Sequence, residues 1–141
     1  MSRKIPLYEI REPFTASVSY AKLCGSILYF DYCRDGTAYR SGIRFNKVLS
    51  TRTRAERCCK AWHIQNVYDT LVEVEDSTWV DEMRADTVEL GRNEWEMHHY
   101  MIYFDSAGCF EVVAASWEIL KEEIGSWETI QTTGAVRFPT T

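Results

Sequence analysis

The sequence contains neither a long apolar run nor an export signal. No apolar stretch approaches the roughly 20 residues that a membrane helix needs. The N-terminal text MSRKIPLYEIREPF has basic residues but no apolar core and no small-residue cleavage site, so we expect no signal peptide and no membrane association. The five cysteines are odd in number and follow no framework spacing, which predicts reduced thiols and a cytoplasmic location.

Motifs that would identify a reaction are also missing. The chain has no GxGxxG, Walker A, HExxH or GxSxG sequence, and it lacks the residue order of an EF-hand loop. We therefore expect no cofactor, and a binding protein is a better interpretation than an enzyme.

The composition is that of an ordinary globular protein. Hydrophobic residues make up 45% and charged residues 26% of the 141 positions. This length predicts one domain over residues 1–141, with residues 1–13 as an extended lead-in and residues 131–141 as a loose tail. The net charge of −5 and the pI near 5.2 disfavour broad affinity for nucleic acid.

The clearest structural feature is a β-hairpin around Asp105-Ser106-Ala107-Gly108. Runs rich in aromatic and β-branched residues, 98–104 and 109–115, flank this turn sequence. Pairing Asp105 with Cys109 creates an apolar face on which Phe104 meets Phe110, Ile102 meets Val112 and Tyr100 meets Ala114. The other face then pairs Tyr103 with Glu111, Met101 with Val113 and His99 with Ala115. We expect the first face in the core and the second only half covered.

Shorter patterns predict further strands and a helix. Strands are indicated from residue 14, over 46–57 and over 70–75, where Leu71 and Val72 are expected to be buried. A second hairpin surrounds Arg34-Asp35-Gly36. Three N-cap candidates, Asp76, Ser77 and Thr78, precede a helix over 77–85 that places Trp79, Val80 and Met83 against the sheet.

Two segments are ambiguous. Residues 58–68 fit either a short helix or an irregular crossing. Over residues 117–124 we favour a helix, capped by Ser116 and ended by Gly125, over a strand that continues through Leu120. Together these patterns predict a strand-dominated α+β fold: an antiparallel sheet, curled or doubled into a sandwich, with one or two short helices packed on it.

Histidine and cysteine give weak signals for chemistry. His98 and His99 are adjacent on a strand and therefore point to opposite faces. Cys58-Cys59 lacks the second cysteine pair of a zinc site, so we predict no metal. Cys59 and His63 would meet on one face if that segment were helical. Cys109 is too far along the strand from His99 for the imidazole to activate its thiol. We therefore favour structural roles for these cysteines and histidines.

Charge is distributed unevenly along the chain. Residues 34–60 contain eight bases and two acids, whereas residues 67–96 contain ten acids and two bases. If these segments formed adjacent strands, their charges would pair across the sheet, and we slightly favour that arrangement. If they lie apart, the molecule is strongly dipolar.

The leading functional hypothesis is a non-catalytic interaction module of the inhibitor or immunity type. It would present an acidic face to a basic protein partner, because opposite charge steers association. The predicted partner-binding residues are Glu73, Glu75, Asp76, Asp81, Glu82, Asp86 and Glu89.

Three alternatives remain open. A small-molecule-binding domain or enzyme would use an aromatic-lined pocket, with candidates Tyr29, Tyr32, Tyr39, Trp62, Trp95, Tyr100 and Tyr103. A homodimer would use a sheet edge or the hairpin face that carries Met101, Tyr103 and Val113. Nucleic-acid binding by the basic stretch 52–60 is disfavoured by the overall acidity.

Overall fold

The computed structural model describes residues 3–10, 21–34, 36–88, 95–105 and 107–127. In chain order its strands are β1 (Lys4–Glu9), β2 (Ala21–Cys24), β3 (Ile27–Arg34), β4 (Thr37–Asn46), β5 (Ser50–Arg54), β6 (Thr70–Val74), β7 (His98–Phe104), β8 (Gly108–Ala114), β9 (Ser116–Ile119) and β10 (Glu123–Ile124). The helices are α1 (Ala61–Ile64) and α2 (Thr78–Thr87), and a 3₁₀ turn spans Glu56–Cys58.

The strands form two antiparallel sheets. The first has the order β1-β6-β7-β8-β5, and the second has the order β10-β4-β3-β2 with β9 also paired to β4. The predicted strand-dominated α+β class, with antiparallel sheets and two helices, is confirmed.

Aromatic and aliphatic side chains between the two sheets form the main core. Phe30 of β3 contacts Phe104 of β7 with ring centroids 5.4 Å apart, and Phe45 of β4 lies 5.6 Å from Tyr100 of β7. The other fully buried members are Ile10, Leu28, Tyr32, Ile43, Leu71, Ile102, Phe110, Val112 and Ala114. Burying each large apolar side chain stabilises the fold by about 1.5–3 kcal/mol, so this layer holds the sheets together.

The other face of the first sheet is also covered. Around α1, residues Cys59, Trp62 and Ile64 pack on a second buried cluster: Val67, Val72, Val74, Met101, Tyr103 and Cys109. Our prediction that this hairpin face is half covered is therefore wrong. Met101, Tyr103 and Val113 are at most 3% exposed, so these three residues do not offer a surface to a second copy of the chain.

The central hairpin is confirmed, but its register differs by two residues from the predicted one. Phe104 pairs with Gly108, Tyr100 with Val112 and Met101 with Glu111. Gly108 has φ +102°, and a Cβ there would lie 2.1 Å from the carbonyl oxygen of Arg54. A shift of two keeps every side chain on its predicted face, because strand side chains alternate with a period of two.

Other local predictions are confirmed as well. β3 and β4 form the hairpin around Gly36, with Tyr32 opposite Tyr39. β6 buries Leu71 and Val72 completely. α2 begins after Ser77, whose Oγ accepts a hydrogen bond from the Val80 N–H at 3.2 Å.

No helix in the described part of the chain has both the length and the apolar character needed to cross a membrane.

Three segment predictions need correction. The lead-in contains β1, which pairs with β6 at the sheet edge. The strand predicted over 46–57 breaks at Lys47, where φ is +56°, and β5 then joins the first sheet instead of the second. The helix predicted over 117–124 is replaced by β9 and β10, because the edge of β4 offers backbone partners that a helix would leave unpaired.

Several predictions fall partly or wholly outside the described residues. They concern the start of the strand from residue 14, residue Glu89 and the tail 131–141. Of the segment that starts at residue 14, the structure describes β2.

Candidate functional site

Four of the seven predicted acidic residues line one concave surface between β6, α2 and the start of β7. A cavity of about 330 Å³ is lined there by Glu73, Glu75, Asp76, Asp81 and Arg84, with Val74, Ser77, Val80, Met97, His98 and His99 forming the rest of its wall. We call this surface the acidic groove. Four carboxylates against one guanidinium give it a negative potential that favours a cationic occupant.

Local structure explains why these carboxylates meet. β6 ends at Val74 and α2 begins at Thr78, so only three residues connect them, and Asp76 takes a positive φ of +54° at that turn. Asp81 follows in the first turn of α2, where the positive end of the helix dipole stabilises an acid. The sequence 73–81 is therefore folded back on itself with its acids on one side.

His98 bridges two carboxylates by hydrogen bonds at one end of the acidic groove. Its Nδ1 lies 2.6 Å from Glu73 and its Nε2 lies 2.8 Å from Glu96. Burial alone would lower the pKa of His98, but the hydrogen bonds to these two acids outweigh it, so the pKa is raised. At the other end Glu75 accepts a hydrogen bond from Arg3 at 2.8 Å.

A buried polar network lies directly beside the acidic groove. Ser77 Oγ is 2.8 Å from His99 Nδ1, and His99 Nε2 is 2.8 Å from Glu111 Oε1. Arg52 donates two hydrogen bonds to the same Glu111 carboxylate, at 2.9 and 3.0 Å. Ser77, His99 and Glu111 are at most 6% exposed, so this is a desolvated array. We call these four residues the His99 network.

The charge of Glu111 determines that His99 Nε2 carries a hydrogen. Burial would raise the pKa of Glu111, but the hydrogen bonds from His99 and Arg52 outweigh it and lower the pKa to about 2. Glu111 is thus a carboxylate that accepts the Nε2–H of His99. In the neutral form of the imidazole, Nδ1 is then the acceptor for the hydroxyl proton of Ser77.

Two tryptophans border the His99 network. Trp79 meets the ring of His99 edge-on with centroids 5.0 Å apart, and the Arg52 guanidinium lies 4.0 Å from the Trp79 ring centroid. A cavity of about 230 Å³ is lined by Arg52, Trp62, Val74, Ser77, Thr78, Trp79 and His99. Ser77 and His99 therefore line both this cavity and the acidic groove.

The remaining predicted residues are dispersed. Glu82 and Asp86 are exposed on α2 and do not line the acidic groove. Among the aromatic candidates, Tyr29, Tyr32, Tyr100 and Tyr103 are at most 6% exposed and belong to packed layers. Trp62 lines the cavity beside His99, and Trp95 lines a separate cavity of about 520 Å³. The two tryptophan candidates therefore line cavities, whereas these four tyrosines belong to the core.

Cysteine positions do not form a reactive site. The Sγ of Cys59 donates to the carbonyls of Arg54 and Ala55, and burial raises the pKa of that thiol. His63 instead caps α1 by accepting the Lys60 N–H at 3.0 Å. Burial raises the pKa of Cys109 to about 12. Within the described ranges no three histidine, cysteine or acidic side chains are placed to hold a metal ion.

The basic and acidic segments are not adjacent strands, which corrects our expectation. β5 lies at one edge of the first sheet, and β7 and β8 separate it from β6. The bases pair instead with acids later in the chain: Arg44 contacts Glu118 at 3.0 Å, and Arg40 approaches Glu123 at 4.0 Å. The acids of the acidic groove are therefore not neutralised by the basic segment.

The sequence patterns did not predict the association of Ser77, His99 and Glu111. In the observed register His99 pairs with Val113, which makes Glu111 its diagonal neighbour on the same face. The predicted register placed Glu111 two positions further along. Alternation alone assigns His99 and Glu111 to one face, and that was the signal available.

Comparisons with known protein families, with curated proteins and with solved structures return no match.

Proposed function

We propose that the protein is a binding module of the inhibitor or immunity type, whose acidic groove receives a basic segment of a partner protein. One observation carries the proposal: Glu73, Glu75, Asp76 and Asp81 line one concavity, where the counter-charges are Arg84, His98 bonded to Glu73, and Arg3 bonded to Glu75 at the rim. A lysine or arginine side chain of the partner would find several acceptors there.

The size and rim of the acidic groove support a side-chain-sized ligand. About 330 Å³ accommodates one long cationic side chain and its neighbouring backbone. Glu82 and Asp86 are exposed on the adjoining α2, so they extend the negative field beyond the concavity. Such a field raises association rates and disfavours acidic competitors, and it weakens as salt increases.

The compartment and the assembly state follow as parts of the same proposal. All five cysteines are free, which suits a reducing cytoplasm. Homodimer formation would have to use a surface other than the buried face of Met101 and Tyr103. We expect no binding to nucleic acid, in keeping with the acidic surface.

The test uses a defined probe, a decapeptide in which lysine and arginine alternate with alanine, and its counterpart with glutamate at the charged positions. We expect the basic peptide to bind and the acidic one not to bind. Asp81→Lys should weaken binding of the basic peptide by about tenfold or more, because it replaces attraction by repulsion inside the groove. Binding is measured by isothermal titration calorimetry at low and high salt.

Glu118→Lys is the matched control. It makes the same change in charge on β9, where Glu118 is exposed and pairs with Arg44 outside the groove. Its affinity for the basic peptide should stay within about twofold of the parent value, since exposed charges beyond the Debye length are screened. Equal losses in the two variants would show a general charge effect, and they would overturn the proposal that the groove is the site.

A further inference from the structure

We propose that Ser77 is a nucleophilic serine with His99 as its general base, that Glu111 is a positioning residue for the imidazole, and that this site hydrolyses esters of short acyl groups. The inference goes beyond the binding role proposed above and does not depend on it. The observation that carries it is the unbroken series of hydrogen bonds from Ser77 Oγ through His99 to Glu111, at 2.8 and 2.8 Å.

When the imidazole of His99 is neutral, these hydrogen bonds have the direction that nucleophile activation requires. A serine is activated when its hydroxyl donates to a neutral base and that base is oriented by a third group. Glu111 is held as a carboxylate by Arg52, so it accepts from Nε2–H of His99 and leaves Nδ1 free to take the Ser77 proton. When His99 becomes an imidazolium, the same carboxylate stabilises its charge.

The position of Ser77 at the start of α2 adds electrostatic stabilisation. Ser77 is the N-cap residue, so its Oγ lies at the positive end of a ten-residue helix. The first N–H groups of a helix have no acceptor within the helix. The N–H groups of Thr78 and Trp79 are in that position, and an oxyanion formed on a carbon attached to Ser77 Oγ would develop beside them.

The cavity beside Ser77 defines the acyl group. Its volume is about 230 Å³, and its wall is polar at Arg52, Ser77, Thr78 and His99 and apolar at Trp62, Val74 and Trp79. An acyl chain of a few carbons fits this space. The alcohol portion of the ester would leave through the acidic groove, since Ser77 lines both spaces.

The reaction balances with these groups and water. Ser77 Oγ forms a bond to the acyl carbon as its proton moves to His99 Nδ1. The C–O bond to the alcohol then breaks, and the leaving oxygen takes the proton from Nδ1. Water repeats the sequence: it gives a proton to His99, attacks the acyl carbon, and releases the carboxylic acid as the proton returns to Ser77 Oγ.

The experiment measures covalent labelling of the full chain by a fluorophosphonate ester, which forms an Oγ–P bond and releases fluoride. Intact-mass measurement gives the rate, and peptide mapping gives the residue. We expect one label, on Ser77, and hydrolysis of 4-nitrophenyl acetate with the same variant dependence. A folded parent protein that stays unlabelled in a large excess of probe, or is labelled at another residue, overturns the proposal without any variant.

Variants that retain the structure separate chemistry from packing. Ser77→Asn keeps an N-cap acceptor but has no nucleophilic oxygen, so its labelling should be lost. In His99→Gln the amide oxygen accepts from Ser77 and the amide N–H donates to Glu111, so the network persists without a base. We expect the labelling rate to fall by about a hundredfold or more. Thr53→Ala, which removes an exposed hydroxyl on β5 that lines neither cavity, should label as the parent does.

The positioning role of Glu111 has its own readout. Glu111→Gln still accepts the Nε2–H of His99 but removes the negative charge beside it. The acid limb of the pH profile for labelling should then move to lower pH, by about one unit, because an imidazolium loses its counter-charge. Near-ultraviolet circular dichroism identifies variants that remain folded. An unchanged acid limb in a folded variant would refute the role of Glu111.

Discussion

Arg52 and Glu111 lie 59 positions apart in the chain and face each other across β5 and β8 with two parallel hydrogen bonds, at 2.9 and 3.0 Å. Half of the Arg52 side chain is exposed, whereas that of Glu111 is 3% exposed. The guanidinium also stacks on Trp79. The pair therefore closes the solvent side of a buried carboxylate and holds a wall of the cavity beside Ser77.

Arg52→Lys should destabilise the protein by about 1–2 kcal/mol. A lysine is a point charge that cannot make both hydrogen bonds or stack as a plane on Trp79. Urea unfolding followed by tryptophan fluorescence measures the change. Arg54→Lys on the same strand is the control, because the Arg54 contact to the Cys58 carbonyl is 3.4 Å long; its change should stay within about 0.5 kcal/mol. Equal changes at both positions would refute the special role of the bidentate pair.

The hairpin register gives a second prediction, at Gly108. Gly108→Ala should cost about 3 kcal/mol or prevent folding, because φ is +102° and the new Cβ would meet the Arg54 carbonyl at 2.1 Å. Gly36→Ala separates backbone strain from steric contact. At Gly36 φ is +77°, but nothing lies within 4 Å of a Cβ. A loss of about 1–2 kcal/mol in the free energy of unfolding is therefore expected from backbone strain alone. Chemical denaturation of the two variants measures the difference. Similar losses would show that the contact with β5 is unimportant.

The bridge at His98 gives a third prediction. Because Glu73 and Glu96 raise the pKa of His98, its charged form is favoured by folding. The associated stability is fully present below the unfolded pKa near 6.5 and is lost as pH rises through the higher folded pKa. Glu96→Gln should lower the pKa of His98, as measured by NMR titration of the imidazole carbon-bound protons. Glu118→Gln, which is remote from His98, should leave it unchanged; a shift common to both variants would argue against a local cause.

Local sequence signals predicted most of the elements. The turn residues Asp105 and Gly108 located the central hairpin, and Ser77 located the start of α2. The predictions that failed concern features that depend on residues distant in the sequence. The hairpin register is set by the close approach of Gly108 to Arg54, and β9 forms because β4, about 70 positions earlier, offers a free edge to Ser116 and Trp117. Periodicity within a segment carries no information on such contacts.

The candidate site was predictable to the same extent. Several acids lie between residues 73 and 81, so composition alone indicated an acidic face, but it did not indicate the concave shape of that surface. The His99 network required three separate elements to meet. Ser77 is 22 positions from His99, and the two-residue error in register moved Glu111 away from the imidazole. Only tertiary structure brings the serine, the imidazole and the carboxylate together.

Asp69 carries a buried carboxyl group in the described structure. The residue is 1% exposed, and within the described part of the chain neither of its carboxylate oxygens has a hydrogen-bond partner. Burial, with a smaller contribution from the Asp105 charge, raises its pKa to about 6 from 3.8. A carboxyl whose pKa is raised on folding stabilises the protein fully below the unfolded pKa, and that stability is lost as pH rises through the folded pKa.

Stability should therefore decline between about pH 4 and pH 6 because Asp69 must ionise in the folded protein, an effect on the order of 2–3 kcal/mol. Asp69→Asn removes this titration and should raise the free energy of unfolding at pH 7 while leaving it nearly unchanged at pH 4. Asparagine tolerates the positive φ of +51° at this position, so the substitution adds no backbone strain. Urea unfolding at a series of pH values measures both curves. Asp81→Asn on the exposed start of α2 is the control, and its free energy of unfolding should still decline between pH 4 and pH 6. A free energy of unfolding that stays constant over this range in the parent protein would contradict the assignment to Asp69.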